Sequence, residues 1–339
     1  MSSAQPRPPA PEEIARDATW LAQAYDPEAG RVRLVAMDSQ AYRNASFLDD
    51  RMLQQTMTSH IVDWQKVRSA LAIDARTDAR WIFHIGHVGS TLVARLLGEI
   101  DGVLAIREPR FLRDLAGLGN EDRSHLLFPA QALFSRTFAE NQLALVKATS
   151  FVSELADELV PPGERALFLF AKPRAYIASI LAGENSVKEL AALAGSRARR
   201  MSGRVPALDG TTTADAAAAA WACEMTALES TAERMADRAI AWADFDAMLG
   251  DMPNELIRLA QFFGFAATAE RLHAVATGLL MARYSKALEY DYSPALRRDL
   301  IAEADAAHRV DIESALAMLG RAAEKSPLLA RALARSGES

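Results

Sequence analysis

The sequence predicts an α/β protein: a parallel β-sheet with helices on both faces, extended at each end by helical segments. Four short apolar runs, WIFHIG (81–86), LALVKA (143–148), RALFLFA (165–171) and RAIAWADF (238–245), are each followed by a helical pattern. Strands that alternate with helices build a parallel sheet buried between helical layers. The first run passes through a glycine turn, HIGHVGST, into an amphipathic helix. At 339 residues, half of them apolar, the chain can bury a full core without disulfide or metal staples.

In chain order, MSSAQPRPPAPE (1–12) is polar and Pro-rich and reads as a disordered tail. It lacks the basic end and apolar run of a signal peptide. Residues 13–78 read as a mainly helical extension, because stretches such as MLQQTMTSHIVDWQKVRSALA space their apolar residues as a helix does. Residues 79–290 hold the strand–helix alternation and form the expected core. From about residue 250 the pattern is helical almost throughout, and 291–339 reads as a C-terminal helical segment. The alanine run at 214–220 has high helix propensity and belongs to a helix rather than a linker.

Gly86 and Gly89 allow positive φ and close approach of a ligand to the backbone. Ser90 and Thr91 open the helix, where unpaired N–H groups and the macrodipole favour an anion. Leu92, Val93, Leu96, Leu97 and Ile100 form the stripe that docks this helix on the sheet. An ordinary strand–helix turn has the same layout, so phosphate binding is one of two readings. The expected core is therefore a three-layer sheet of the P-loop NTPase type. Fitting G-x-x-x-x-G-K-[ST] puts His84 at the first Gly and Ser90 at the Lys, which disfavours an ATPase or kinase.

HIGHVGSTLVARLL followed by AIREPR resembles the sulfotransferases that use 3′-phosphoadenosine 5′-phosphosulfate (PAPS), most closely the tyrosylprotein branch. The resemblance spans about residues 80–290. It implies that Gly86, His87, Val88, Gly89, Ser90, Thr91 and Leu92 cradle the 5′ phosphosulfate, with His87 where the family has Arg or Lys. It implies that Glu108 in REPR is the general base for a hydroxyl acceptor, although Arg107 or Arg110 could hold it in a surface ion pair. Lys147, closing LALVK, corresponds to a lysine that assists the bridging oxygen; a solvated strand-end lysine is the alternative. FLFAKPRAYIASIL (168–181) resembles the second signature, which holds the 3′ phosphate: Arg174, Ala175 and Ser179 match. The leading Arg is replaced by Ala171, a further basic position falls at Gly183, and Lys172 stands in for the lost charge. RAIAWADFDAMLGDMPNELIRLAQFFGF is similar to the family's late strand and following helix. YSKALE (284–289) resembles a loop closing over the cofactor, with Ser285 and Lys286 as contacts or as ordinary loop residues.

Other classes are less well supported. The net charge of −6 argues against a general nucleic-acid binder, and no apolar run approaches the ~18 residues of a membrane span. Cys223 is the only cysteine, which excludes an intramolecular disulfide and a Cys-rich zinc site. His84 and His87 have no third ligand in pattern, so no metal is expected. Asp49 and Asp50 in FLDDR line an acceptor site or cap the next helix. The sequence thus points to a cytoplasmic, metal-independent sulfotransferase acting on a small-molecule or peptide hydroxyl. The alternatives are a nucleotide-dependent kinase and a catalytically silent nucleotide-binding protein on the same fold.

Overall fold

The computed structural model describes residues 7–54, 56–72, 74–283, 285 and 291–337. Eight strands form two sheets. The core sheet contains β4 (Arg80–His84), β5 (Val103–Arg107), β6 (Leu143–Lys147), β7 (Arg165–Phe170) and β8 (Ala239–Asp244). Its order is β5-β6-β4-β7-β8, and every neighbouring pair is parallel. Four of the five are the apolar runs of the sequence. The fifth, VLAIR, follows an Asp-Gly turn and was not expected as a strand.

In β4 to β7, consecutive residues are buried almost without interruption. Side chains of neighbouring strand residues point to opposite faces, so both faces of the sheet are covered. From β4 the chain moves to one side to build β5 and β6, then crosses to the other for β7 and β8. The crevice beside β4, at the carboxyl ends of the strands, is the switch point where such sheets bind ligands. The helix Ser90–Leu97 leaves β4 there and packs on β5 and β6, all eight of its residues buried.

The expectation of a mainly helical segment at 13–78 is corrected. Strands β1 (Trp20–Asp26), β2 (Arg31–Ala36) and β3 (Ser59–Asp63) form an antiparallel sheet, with short helices at Pro11–Arg16, Ser39–Asn44 and Trp64–Ala70. Ser59–Asp63 sits inside a stretch with helical spacing, but cross-strand pairing with β2 outweighs that local preference. The sheet is fixed to the core by long-range bonds. Asp114 Oδ2 accepts the Tyr25 N–H (2.9 Å), and Arg136 Nη2 donates to the Trp20 carbonyl (2.8 Å).

The C-terminal segment forms helices Pro294–Ala307, Arg309–Ala323 and Pro327–Ser336. They pack against the helices Pro173–Leu181 and Thr213–Glu233. Cys223 lies fully buried in the latter, where burial and the neighbouring Glu224 carboxylate push its thiol up to about 12. Among the described residues, no helix is long and apolar enough to cross a membrane, and no group of three or more His, Cys, Asp or Glu could hold a metal ion.

Candidate active site

A cavity of about 830 Å³ opens at the carboxyl ends of the strands. Its wall includes the whole loop from Gly86 to Leu92, together with Glu108, Lys147, Ser179 and Ser285. These residues, up to about 200 positions apart in the chain, meet because the sheet order brings β4, β5, β6 and β7 side by side.

The loop has the backbone that its glycines imply. Gly86 (φ 81°) and Gly89 (φ 61°) are left-handed, and so is His87 (φ 53°). The two glycines are needed for different reasons. A Cβ on Gly86 would meet nothing closer than Ser150 at 3.9 Å, whereas one on Gly89 would lie 1.9 Å from Cζ of Phe245. Gly89 therefore lets the Phe245 ring lie flush on the loop. The N–H groups of Ser90, Thr91 and Leu92 have no hydrogen-bond partner among the described residues, as expected of a first helical turn. Thr91 Oγ1 is buried and also without a partner.

The Gly86 N–H is engaged within the strand–loop junction. It donates to Nδ1 of His84 at 2.9 Å. The loop amides left without a partner among the described residues are those at the helix start. His87 turns its ring toward the helix Glu184–Met201, with Nε2 3.6 Å from Glu189 Oε2 and Nδ1 3.5 Å from Ser186 Oγ.

Glu108 and Lys147 end neighbouring strands and form an ion pair, Nζ to Oε1. The Lys147 side chain is 1% exposed and that of Glu108 11%, so the lysine is not solvated at the strand end. Arg107 is not the partner of Glu108. It is buried and donates to the carbonyls of Tyr42, Arg43 and Ala45, and burial lowers its guanidinium to about 9. Arg110 bonds Asp50 and Asp114. Glu108 Oε2 instead faces Arg51 Nη2 at 3.6 Å. Glu108 also has φ 53°, in the left-handed region that only a fixed environment holds for a non-glycine residue.

Arg51, Arg113 and Asp49 also line the cavity. Asp49 accepts from the Arg51 N–H and guanidinium, which makes it a cap, as its position before the turn suggested. Burial would raise its carboxyl, but those hydrogen bonds outweigh it and leave the group below the usual carboxylate range.

The residues expected at the 3′-phosphate end fit less well. Arg174 does not line the cavity; Nη1 donates to Asp305 (2.9 Å) and Nη2 to Glu313, both on the C-terminal helices. Lys172 is exposed and lies outside the wall, its charge acting on Asp244. Ser179 does reach the wall, with Oγ donating to the Tyr176 carbonyl at 2.8 Å. The Ser285 carbonyl accepts from Arg95 Nε at 2.8 Å, and Lys286 lies outside the described residues.

The sequence reading missed Arg297. Its guanidinium lies 5.1 Å over the Phe245 ring, Nε donates to Asp246 Oδ1 (2.8 Å), and Nη2 is buried in the cavity wall without a partner among the described residues. No motif marks it, because it comes from a C-terminal helix outside the core pattern.

No protein-family model matches the chain, and no curated sequence matches it significantly. Several solved structures are similar to it, two of them sulfotransferase domains. One is a sulfotransferase domain from the curacin biosynthetic pathway, with TM-score 0.41, 12% identity and 66% of this chain covered against 87% of that one. The other is a sulfotransferase domain from the Synechococcus PCC 7002 olefin synthase, with TM-score 0.38, 14% identity and coverage of 66% and 86%.

Proposed function

We propose that the protein moves a sulfuryl group from PAPS to a hydroxyl-bearing acceptor in this cavity. One observation carries the reading: the unpaired donors at the head of helix Ser90–Leu97 and the Lys147–Glu108 pair open on the same cavity. The cavity's size lies within the range of about 300–1,000 Å³ usual for small-molecule sites.

The 5′ end of the donor suits this wall. Thr91 Oγ1, a buried oxygen without a partner, and the N–H groups of Ser90, Thr91 and Leu92 would hold the phosphosulfate, with the helix dipole adding to the attraction. Arg174 and Lys172 lie outside the cavity wall, so Arg297 Nη2 with Ser179 would hold the 3′ phosphate in their place. PAPS would supply an activated sulfuryl group and a phosphate leaving group.

The chain's own residues supply the rest. Lys147 would offset negative charge as it gathers on the leaving oxygen. Glu108 Oε1 is engaged by Lys147, so Oε2 would take the acceptor's proton. His87 is held by Ser186 and Glu189 and would shape the wall rather than provide the cation. The wall would fix donor and acceptor in line, and proximity of this kind contributes much of the barrier lowering in group transfer.

Thermal-shift titration with 3′,5′-ADP, 5′-AMP, ATP and PAPS tests the reading, since a ligand bound only by the folded form raises its melting point. The expected order places PAPS and 3′,5′-ADP above 5′-AMP. Stabilisation by ATP alone, with label moving from its γ-phosphate to an acceptor, would instead support a kinase.

A further inference from the structure

We propose that His84 is a positioning residue, whose ring sets the separation between the anion-binding loop and the Lys147–Glu108 pair. The inference rests on the function proposed above. His84 is the last residue of β4 and is 5% exposed. An amide can only donate, so the Gly86 N–H at 2.9 Å assigns a lone pair to Nδ1. The ring proton then lies on Nε2. That nitrogen is 2.9 Å from the Ala148 carbonyl oxygen, which can only accept. Both contacts are satisfied together by one neutral tautomer.

The two contacts join the loop to the strand end that carries Lys147. The ladder between β4 and β6 ends with Ile82 opposite Lys147, followed by the Ala148 N–H donating to the Ile82 carbonyl at 3.0 Å. Beyond that point β4 runs on through Phe83 and His84 paired with β7. The ring carries the connection one step further, from Gly86 at the start of the loop to Ala148, the residue after Lys147. Glu108 is tied to the same strand end, its N–H donating to the Lys147 carbonyl at 2.7 Å. The loop, the lysine and the carboxylate are therefore held in one frame through a single imidazole. His84 Nε2 lies 3.9 Å from Glu108 Oε1, too far for a hydrogen bond, so the ring acts through the backbone.

Three variants separate the two halves of this frame. In His84→Asn the amide oxygen falls near the Nδ1 position and can accept from Gly86, while the link to Ala148 is lost. In His84→Gln the amide nitrogen reaches the Nε2 position and can donate to Ala148, while the link to Gly86 is lost. His84→Ala loses both. Two readouts follow each: the Kd of 3′,5′-ADP by calorimetry, and the single-turnover rate of PAPS-dependent transfer to a phenol. Misplacing a reacting group by about 1 Å can cost about a hundredfold in rate, and supporting-residue changes about 10–100-fold, so shifts of about tenfold or more are expected. Asn should hold the Kd within about threefold and lower the rate; Gln should weaken the Kd; Ala should do both.

Parallel loss of Kd and rate in Asn and Gln, tracking their melting points, would overturn the proposal, as would an Ala variant that moves neither. Should the Ala variant fail to fold, Asn and Gln carry the comparison. If the wild type binds 3′,5′-ADP but transfers nothing, the transferase reading falls, and the Kd contrast between Asn and Gln alone decides whether His84 positions the loop. If the wild type binds no nucleotide, both fall.

Discussion

Lys147 and Glu108 hold each other at the ends of two adjacent parallel strands: their side chains form an ion pair, and the Glu108 N–H donates to the Lys147 carbonyl at 2.7 Å. The pair is shielded from water, so its halves depend on each other. Lys147→Met leaves the Glu108 carboxylate facing Arg51 at 3.6 Å and the His84 ring at 3.9 Å, neither as close as the lysine. Breaking a buried pair by removing one partner costs about 3–5 kcal/mol. Denaturant unfolding of the variant should show a loss toward the lower end of that range. The double variant Glu108→Gln/Lys147→Met should recover much of it, and a single variant as stable as wild type would contradict the burial argument.

Removing the proposed base separates chemistry from binding. Glu108→Gln should lower the transfer rate by about 10²–10⁴-fold, the contribution typical of general acid–base catalysis. The affinity for 3′,5′-ADP should change far less. Turnover preserved in this variant would remove Glu108 from the role.

The two loop glycines should differ in tolerance. Gly86→Ala makes only ordinary contact with Ser150 and bears the left-handed backbone, a cost of about 1–2 kcal/mol. Gly89→Ala bears the same strain and drives a methyl into the Phe245 ring, adding about 1–3 kcal/mol of overpacking. Melting curves should rank wild type above Gly86→Ala, and Gly86→Ala above Gly89→Ala.

Arg174 and Arg297 should exchange the importance that the sequence assigns them. Arg174→Ala breaks ion pairs that are partly exposed, so it should cost at most about 1 kcal/mol and leave nucleotide affinity nearly intact. Arg297→Met removes a guanidinium whose Nη2 has no partner among the described residues, and affinity for 3′,5′-ADP should fall about tenfold or more, in line with the ~1.5–3 kcal/mol of a hydrogen bond to a charged group. Calorimetry on the two variants decides the matter.

Cys223 should be inert to iodoacetamide in the native protein. With its thiol pushed up to about 12, roughly one molecule in ten thousand carries the thiolate at pH 8, before steric exclusion is counted. Labelling within minutes under native conditions would mean that the helix Thr213–Glu233 opens, and mass spectrometry reads this directly.

Much of the core was legible along the chain. Strands β4, β6, β7 and β8 stood out as short apolar runs before helical patterns, and the glycine turn announced itself by its residue types. β5 did not, being five residues with no distinguishing alternation, and the N-terminal sheet was hidden under helical spacing. For β5 and β3, pairing with a strand about 25 to 40 residues away decided the backbone state.

What the chain dictates by itself is local: which stretches can become strands or helices, and where a glycine permits a left-handed turn with unpaired amides. Those properties follow from sterics and periodicity within a few residues. Partners are another matter. Arg174 is drawn to Asp305 and Glu313 more than a hundred residues on, Arg297 arrives on a late helix, and the ring of His84 reaches Ala148 just past the end of another strand. Such choices depend on strand order and on what else competes for each charge, and only the assembled sheet and its covering helices fix them.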